Sequence, residues 1–350
     1  MKTIAVYVSA YPCNSAEPSA GTQLALQKVK QLATEYDQVY VFSFCRYALP
    51  PEQGFPSNVL ASDIRIGRWH TLLSQILFPL HPLGVAVRMV AIRSAGLSKI
   101  PNPDLVYGDF TQSFGCVPTR WTSKAEVRIH DTVRELYGRQ SRSGSIPRRL
   151  IGLIESLRWR WYEPFVWRSA RAVHCLTDRE AEAVSTSRGS STGVLVERPI
   201  PSYVCRTRTA ASVVKGRLIF WGNLARPENS LAVEYFLENL WPAIKKAVPT
   251  AEFRVVGANP PQALLARASD GVSFTGFVDD PAVEFEKAHL SVAPLTFGAG
   301  IKIKVLETAF SGIPTICTQV AADGIWDDVP NVIVAGDDRA FVKECVARLS

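Results

Sequence analysis

The strongest constraint on the fold lies between Ser291 and Thr318, a stretch that reads SVAPLTFGAGIKIKVLETAFSGIPTICT. An apolar run over 291–295 enters a turn carrying Gly298, Ala299 and Gly300. A helical run follows over 302–311, with Val305, Leu306, Ala309 and Phe310 apolar at helical spacing. Gly312 stands where a helix C-cap belongs, and Pro314 opens a second apolar run over 315–318. This order predicts strand, glycine turn, helix, strand, the unit of a parallel sheet. The turn would present free backbone N–H groups at a helix N-terminus, which suits a phosphate. Glu307 falls inside the predicted helix.

The same alternation runs through the rest of the chain. A strand is predicted at 4–8. After a polar loop, Gly21-Thr22 sits at the entrance of a helix over 23–35, with Thr22 as its cap, and a strand follows at 39–44. Residues 46–70 read as loop, with Pro50, Pro51, Gly54 and Pro56. Helical runs are expected at 72–78 and 85–97, a buried strand at 104–108, a helix or long turn at 112–121, and a strand at 126–129 that delivers His130-Asp131 at its carboxyl end. Ligands of open α/β sheets bind beyond strand carboxyl ends, so His130 and Asp131 are candidate catalytic residues. A histidine there is also compatible with a purely structural role. A strand at 172–176, a helix over 179–187 capped by Thr177-Asp178, and a strand at 194–196 complete this half. A linker is expected near 199–215, which places an N-terminal domain at 1–205 and a C-terminal one at 216–350. The second half repeats the alternation from the strand at 218–222. Its helix over 230–248 contains Pro242, which is expected to kink it, and its last helix spans 339–349.

A length of 350 residues suits two such domains. With 47% hydrophobic and 20% charged residues the composition is that of a folded globular protein. The seven cysteines are scattered without a CxxC pair, which argues against a zinc knuckle or disulfide framework and for buried reduced thiols. No metal site is expected. Neither a signal peptide nor a transmembrane run is evident: the apolar region 72–92 is broken by Gln75, Pro79, His81, Pro82 and Arg88. A cytoplasmic chain is expected, with room for a peripheral place on the inner face of the plasma membrane.

The formal net charge of +7 favours anionic partners. The most basic stretch, 139–171, interleaves Arg148, Arg149, Arg158 and Arg160 with Trp159, Trp161, Tyr162 and Phe165. A long amphipathic helix with aromatics in the core and arginines in solvent accounts for most of it. The remainder suits an anionic membrane surface. No nucleic-acid module accompanies it, and nucleic acid is not expected as a partner.

Several segments of the second half fit one pattern together: Phe220-Trp221-Gly222-Asn223, Asn229, Trp241-Pro242, Val255-Val256-Gly257, Thr275-Gly276-Phe277-Val278, and Ala293-Pro294-Leu295 through Glu307. As a set they resemble family 4-like (group 1) glycosyltransferases of the bacterial surface-polysaccharide type. The resemblance covers 217–325 and extends more loosely to Pro12, Gly21, His130 and Asp178 in the first half. It implies an α/β chain with the GT-B fold, two Rossmann-like domains facing a central cleft. It also implies retaining, metal-independent transfer of a sugar from a nucleotide-sugar, UDP- or GDP-linked, to a glycan or lipid-linked acceptor. No cofactor is implied beyond that donor.

Carried over by the resemblance, Glu307 would bind the nucleotide ribose, and Gly298, Ala299, Gly300 and Ile301 would face the donor sugar and diphosphate. Gly21 would approach the diphosphate, and His130 would lie near the transferred sugar. Two departures stand out. The family's first glutamate, eight residues before Glu307, is Ala299 here. Its Arg and Lys after the first strand of the domain are replaced in register by Asn223 and Glu228. Lys302 and Lys304, beside the turn, are then expected to meet the phosphate charge, ahead of Arg226. These departures also motivate the alternative of a catalytically silent GT-B-like binding or scaffold protein. Family members often continue with a helix that crosses back to the first domain, whereas this sequence stops just after the helix at 339–349.

Overall fold

The computed structural model describes residues 2–13, 20–45, 55–130, 132–141, 146–199, 201, 203–269, 271–298 and 300–350. The chain divides into two compact units, Met1–Pro199 and Ile200–Ser350.

The first unit runs β1 (Ile4–Ser9), α1 (Ala20–Glu35), β2 (Gln38–Cys45), β3 (Val59–Arg65), α2 (Arg68–Leu77), α3 (Leu83–Ala91), β4 (Leu105–Asp109), β5 (Ala125–Arg128), α4 (Val133–Gln140), α5 (Ile146–Ser169), β6 (Ala172–Cys175), α6 (Asp178–Arg188) and β7 (Val194–Val196). The strands form one parallel sheet in the order β3-β2-β1-β4-β5-β6-β7. Every residue of β4 is buried, as expected of a central strand covered by helices on both faces. Val6, Val8, Val106 and Val127 are removed from water on this sheet, and each such side chain contributes about 1.5–3 kcal/mol. Tyr7 and Tyr107, paired in register on β1 and β4, stack at 5.8 Å.

Three expectations are corrected here. Part of the predicted loop over 46–70 is strand: β3 pairs with β2 through seven residues. Its Ser62 and Asp63 break the apolar pattern because an edge strand buries little. Helix α1 begins at Ala20, so Thr22 lies within its first turn and does not cap it. The helix expected at 85–97 stops at Ala91 and gives way to two 3-10 turns, Ile92–Ser94 and Leu97–Lys99, separated by Gly96 at φ +75°. The helix or long turn expected at 112–121 takes the form of two 3-10 turns, Thr111–Cys116 and Thr119–Lys124. The cap of α6 is as read. The Thr177 hydroxyl accepts from the Glu180 N–H at 3.2 Å, and the Glu180 carboxylate accepts from the Thr177 N–H at 3.2 Å.

The second unit runs β8 (Arg217–Trp221), α7 (Pro227–Tyr235), α8 (Trp241–Ala247), β9 (Glu252–Val256), α9 (Gln262–Leu265), β10 (Val272–Gly276), α10 (Ala282–Lys287), β11 (Leu290–Ala293), α11 (Ile303–Phe310), β12 (Thr315–Thr318), α12 (Gln319–Ala322), β13 (Val332–Ala335) and α13 (Asp338–Leu349). Its parallel sheet has the order β10-β9-β8-β11-β12-β13, the doubly wound arrangement. The predicted helix over 230–248 is interrupted. A wide π turn, Phe236–Leu240, joins α7 to α8. Pro242 offers no N–H and its ring would strike the carbonyl four residues back, which the widened turn relieves. The core gathers Phe220, Phe236, Phe253, Ile244, Leu290 and Ile316.

All seven cysteines are buried free thiols. No helix among the described residues is long and apolar enough to cross a membrane.

Candidate active site

In the second unit, β8 and β11 are neighbours although they are the first and fourth strands, so the helices that follow them diverge and leave a crevice at their carboxyl ends. The close approach of backbones there needs glycine. A Cβ on Gly257, after β9, would lie 1.9 Å from the Gly222 carbonyl oxygen after β8. Gly298 (φ +150°) and Gly300 (φ +65°) form the turn after β11, and Ile301 links it to α11. No side-chain hydrogen bond caps α11 and no acidic residue stands in its first turn. Its N-terminal amides therefore remain suited to an anion.

Glu307, on α11, is buried. Its Oε2 accepts a hydrogen bond from the Trp221 indole Nε1, at the end of β8, at 2.7 Å. Burial pushes the carboxyl up to about 7, against the lowering effect of the Trp221 and Tyr203 N–H donors and of Lys304. The Lys304 ammonium donates to the Asn229 side-chain oxygen and lies 4.9 Å from the centre of the Phe220 ring. Burial pushes Lys304 down to about 7. Asn229 in turn donates to the Asn223 carbonyl at 2.6 Å, so the loop after β8, α7 and α11 are tied through one polar chain. The Lys302 ammonium donates to the Gly300 carbonyl and thereby braces the glycine turn. Lys304 and Glu307 share one helix face near the crevice, while Lys302 holds the turn itself.

In the first unit the switch of strand order falls between β1 and β4. Asp109 closes β4 and is fully buried. It accepts from Arg128 at 2.8 Å and 2.9 Å, in a forked pair, and meets His130 Nε2 at 2.8 Å. Burial alone would raise its pKa, but Arg128 and His130 hold it well below the usual carboxylate range. The His130 ring stacks on Phe110 at 3.8 Å, and Phe110 sits at φ +69°, an uncommon conformation for an aromatic residue. The network continues along the strand ends. Glu197 lies 3.5 Å from Arg128, 3.2 Å from Lys28 and 2.7 Å from His174 Nδ1. His174 Nε2 meets Glu126 at 2.8 Å. Burial would lower His174, but the two carboxylates raise it.

The sequence-predicted residues thus fall into three groups. Gly298, Gly300, Ile301, Lys302, Lys304 and Glu307 are gathered on the turn and helix after β11. His130 follows β5, and Gly21 lies in the first turn of α1. Asp131 and Ala299 lie outside the described residues. Sequence reading did not single out Asp109, Arg128, His174 or Glu197. The signal for Asp109 was an acidic residue ending a fully apolar strand. For Trp221 it was an indole N–H at the end of β8, which needs a buried acceptor. Among the described residues no group of three or more His, Cys, Asp or Glu side chains could hold a metal ion.

Residues 215–350 match the family described as glycosyl transferases group 1. Comparison with curated proteins gave no match. Among solved structures, the chain is similar to WaaG, a glycosyltransferase involved in lipopolysaccharide biosynthesis, at 15% identity and a TM-score of 0.66, over 98% of this chain and 90% of that one. It is similar to TarM at 9% identity and a TM-score of 0.67, over 100% and 92% of the two chains. It is also similar to HepE of Anabaena, solved in complex with UDP and glucose, at 12% identity and a TM-score of 0.59, over 99% and 89%. Residues 215–350 thus match the glycosyl transferases group 1 family model, and the chain as a whole has the GT-B fold of glycosyltransferases.

Proposed function

We propose that the chain is a retaining glycosyltransferase that moves a sugar from a nucleoside-diphosphate sugar to a glycan or lipid-linked acceptor in surface-polysaccharide synthesis. The observation that carries this reading is the crevice between β8 and β11. There an uncapped helix N-terminus, a buried lysine and a buried carboxyl converge behind a glycine turn. The group 1 match and the likeness to WaaG and to UDP-bound HepE support it.

In this reading Glu307 accepts hydrogen bonds from the ribose hydroxyls, and Trp221 orients it. The amides of the 298–303 segment and Lys304 take up the charge that develops on the diphosphate as the glycosidic bond breaks. Lys302 shapes the turn. His130, fixed by Asp109 and Phe110, orients the transferred sugar. The departing phosphate oxygen accepts the proton of the attacking acceptor hydroxyl on the same face, so that the anomeric configuration is retained and neither a side-chain nucleophile nor a metal ion is required.

Calorimetric titration with UDP-, GDP-, ADP- and CMP-sugars, followed by determination of the product anomer, tests the proposal. Binding of one donor class and a product of unchanged anomeric configuration are expected. An inverted product would overturn the retaining course, and binding of no nucleotide would favour a silent scaffold protein instead.

A further inference from the structure

We infer that the surface formed by α2 and α5 of the first unit docks on an anionic lipid membrane. Helix α5 is apolar on two sides. One side buries Trp159, Tyr162, Val166 and Trp167 in the core of the unit. The other leaves Leu150, Ile154 and Leu157 in solvent, with Ile146 at 81% exposure at its start. A helix that is apolar all round is normally covered all round. Helix α2 repeats the anomaly, with Trp69 at 79% and Ile76 at 75% exposure. The two helices touch where Arg158 of α5 reaches the Gln75 side-chain oxygen of α2 at 3.5 Å; just beyond α2, Arg158 donates to the Pro79 carbonyl at 2.6 Å and the Trp161 ring meets His81 edge-on at 5.4 Å. Isolated apolar residues on a surface need no explanation, but so many exposed large apolar side chains on two helices that touch mark an interaction face.

Charge identifies the occupant. Helix α2 contains no acidic residue. Both acidic residues of α5 are turned inward: Glu155 and Glu163 are buried, and Glu155 accepts from the Leu83 N–H at 3.0 Å. The exposed charges of the two helices are therefore arginines alone: Arg68, Arg148, Arg149, Arg160 and Arg168. A second copy of the chain would press like charges together across a symmetric contact. An anionic lipid surface satisfies both features, taking apolar side chains and tryptophan at the acyl boundary and pairing arginine with phosphate. Beside α2, a cavity of about 330 Å³ lined by Trp69, Leu73, Val90 and Arg93 offers room for part of a lipid tail.

This inference names the surface at which a lipid-linked acceptor would be met, and to that extent it rests on the proposed function. Its test does not. Flotation with vesicles of phosphatidylcholine alone, or with about one-third phosphatidylglycerol, is run without donor or acceptor. Strong partition onto the anionic vesicles only, weakened by salt, is expected. The variants Leu72→Ser with Ile76→Ser, and Leu150→Glu with Leu157→Glu, alter exposed side chains. They should keep the parent thermal midpoint while losing partition about tenfold or more, and transfer to a water-soluble acceptor should persist. Absence of partition by the parent, or partition unchanged in both variants, overturns the inference. So does a parent dimer in light scattering that the variants abolish. Lost transfer with intact partition would count against the enzymatic reading alone.

Discussion

The Trp221 indole and the Glu307 carboxylate are joined by a hydrogen bond of 2.7 Å that ties the end of β8 to the middle of α11. The bond spans 86 positions of sequence and links the first strand of the second sheet to the helix after its fourth. It gives a buried carboxyl a donor, to which the Tyr203 N–H adds a second.

The first prediction concerns pH. Burial holds Glu307 at about 7, well above its unfolded value near 4.5. The folded form therefore keeps a proton that the unfolded chain has released. The stability this confers is present below about pH 4.5 and is lost as pH rises to about 7. Glu307→Gln should flatten the thermal midpoint of the second unit across that window. Glu307→Ala should lower nucleotide affinity about tenfold with the fold intact. Scanning calorimetry against pH and isothermal titration with UDP check the two parts, and near-parent affinity would remove Glu307 from the donor site.

The Lys304 ammonium is buried, held by Asn229 and pushed down to about 7. Replacing a buried ammonium by an apolar side chain of similar length removes a desolvation cost. Lys304→Met is thus expected to match or exceed the parent thermal midpoint and yet to weaken binding of a nucleoside diphosphate about tenfold or more. Loss of stability together with unchanged affinity would assign Lys304 to the scaffold.

Asp109 and His130 should separate in their effects. Asp109→Asn leaves the buried Arg128 without its forked carboxylate and is expected to cost about 3–5 kcal/mol of stability. His130→Ala leaves that pair intact and should cost about 1 kcal/mol, while transfer falls strongly. Urea unfolding and initial rates measure both. Near-normal turnover by His130→Ala would exclude the ring from the site.

Gly257 and Gly276 both have positive φ but differ in their surroundings. A Cβ on Gly276 meets nothing within 4 Å, so Gly276→Ala should cost only the left-handed backbone penalty, about 1–2 kcal/mol. A Cβ on Gly257 would collide with the Gly222 backbone, and Gly257→Ala is expected to cost about 3 kcal/mol or more and to open the crevice. Thermal unfolding of the two variants makes the comparison.

Much of this protein was legible in one dimension because its strands are central and its helices amphipathic. Strands β7 and β12 lie at the predicted residues, and the Thr177 cap and the Gly312 stop are local chemistry that needs no tertiary partner. Strand β3 escaped because an edge strand may carry Ser62 and Asp63 without penalty, and its identity comes from pairing with β2. The break before Pro242 was foreseeable from the missing N–H, but its form as a π turn was set by the need to keep both Phe236 and Trp241 in the core.

The sequence by itself determined the strand–turn–helix–strand unit at 291–318, since helical spacing, a glycine turn and a C-cap all act over a few residues. It also determined that Glu307, Lys302 and Lys304 lie beside that turn. Only the tertiary structure decided what each does. Lys304 reaches Asn229, Lys302 folds back on Gly300, and Trp221 takes one oxygen of Glu307. It likewise set Asp109 between Arg128 and His130. The reason is physical: strand order brings together residues tens of positions apart, and burial then makes each of them find a partner.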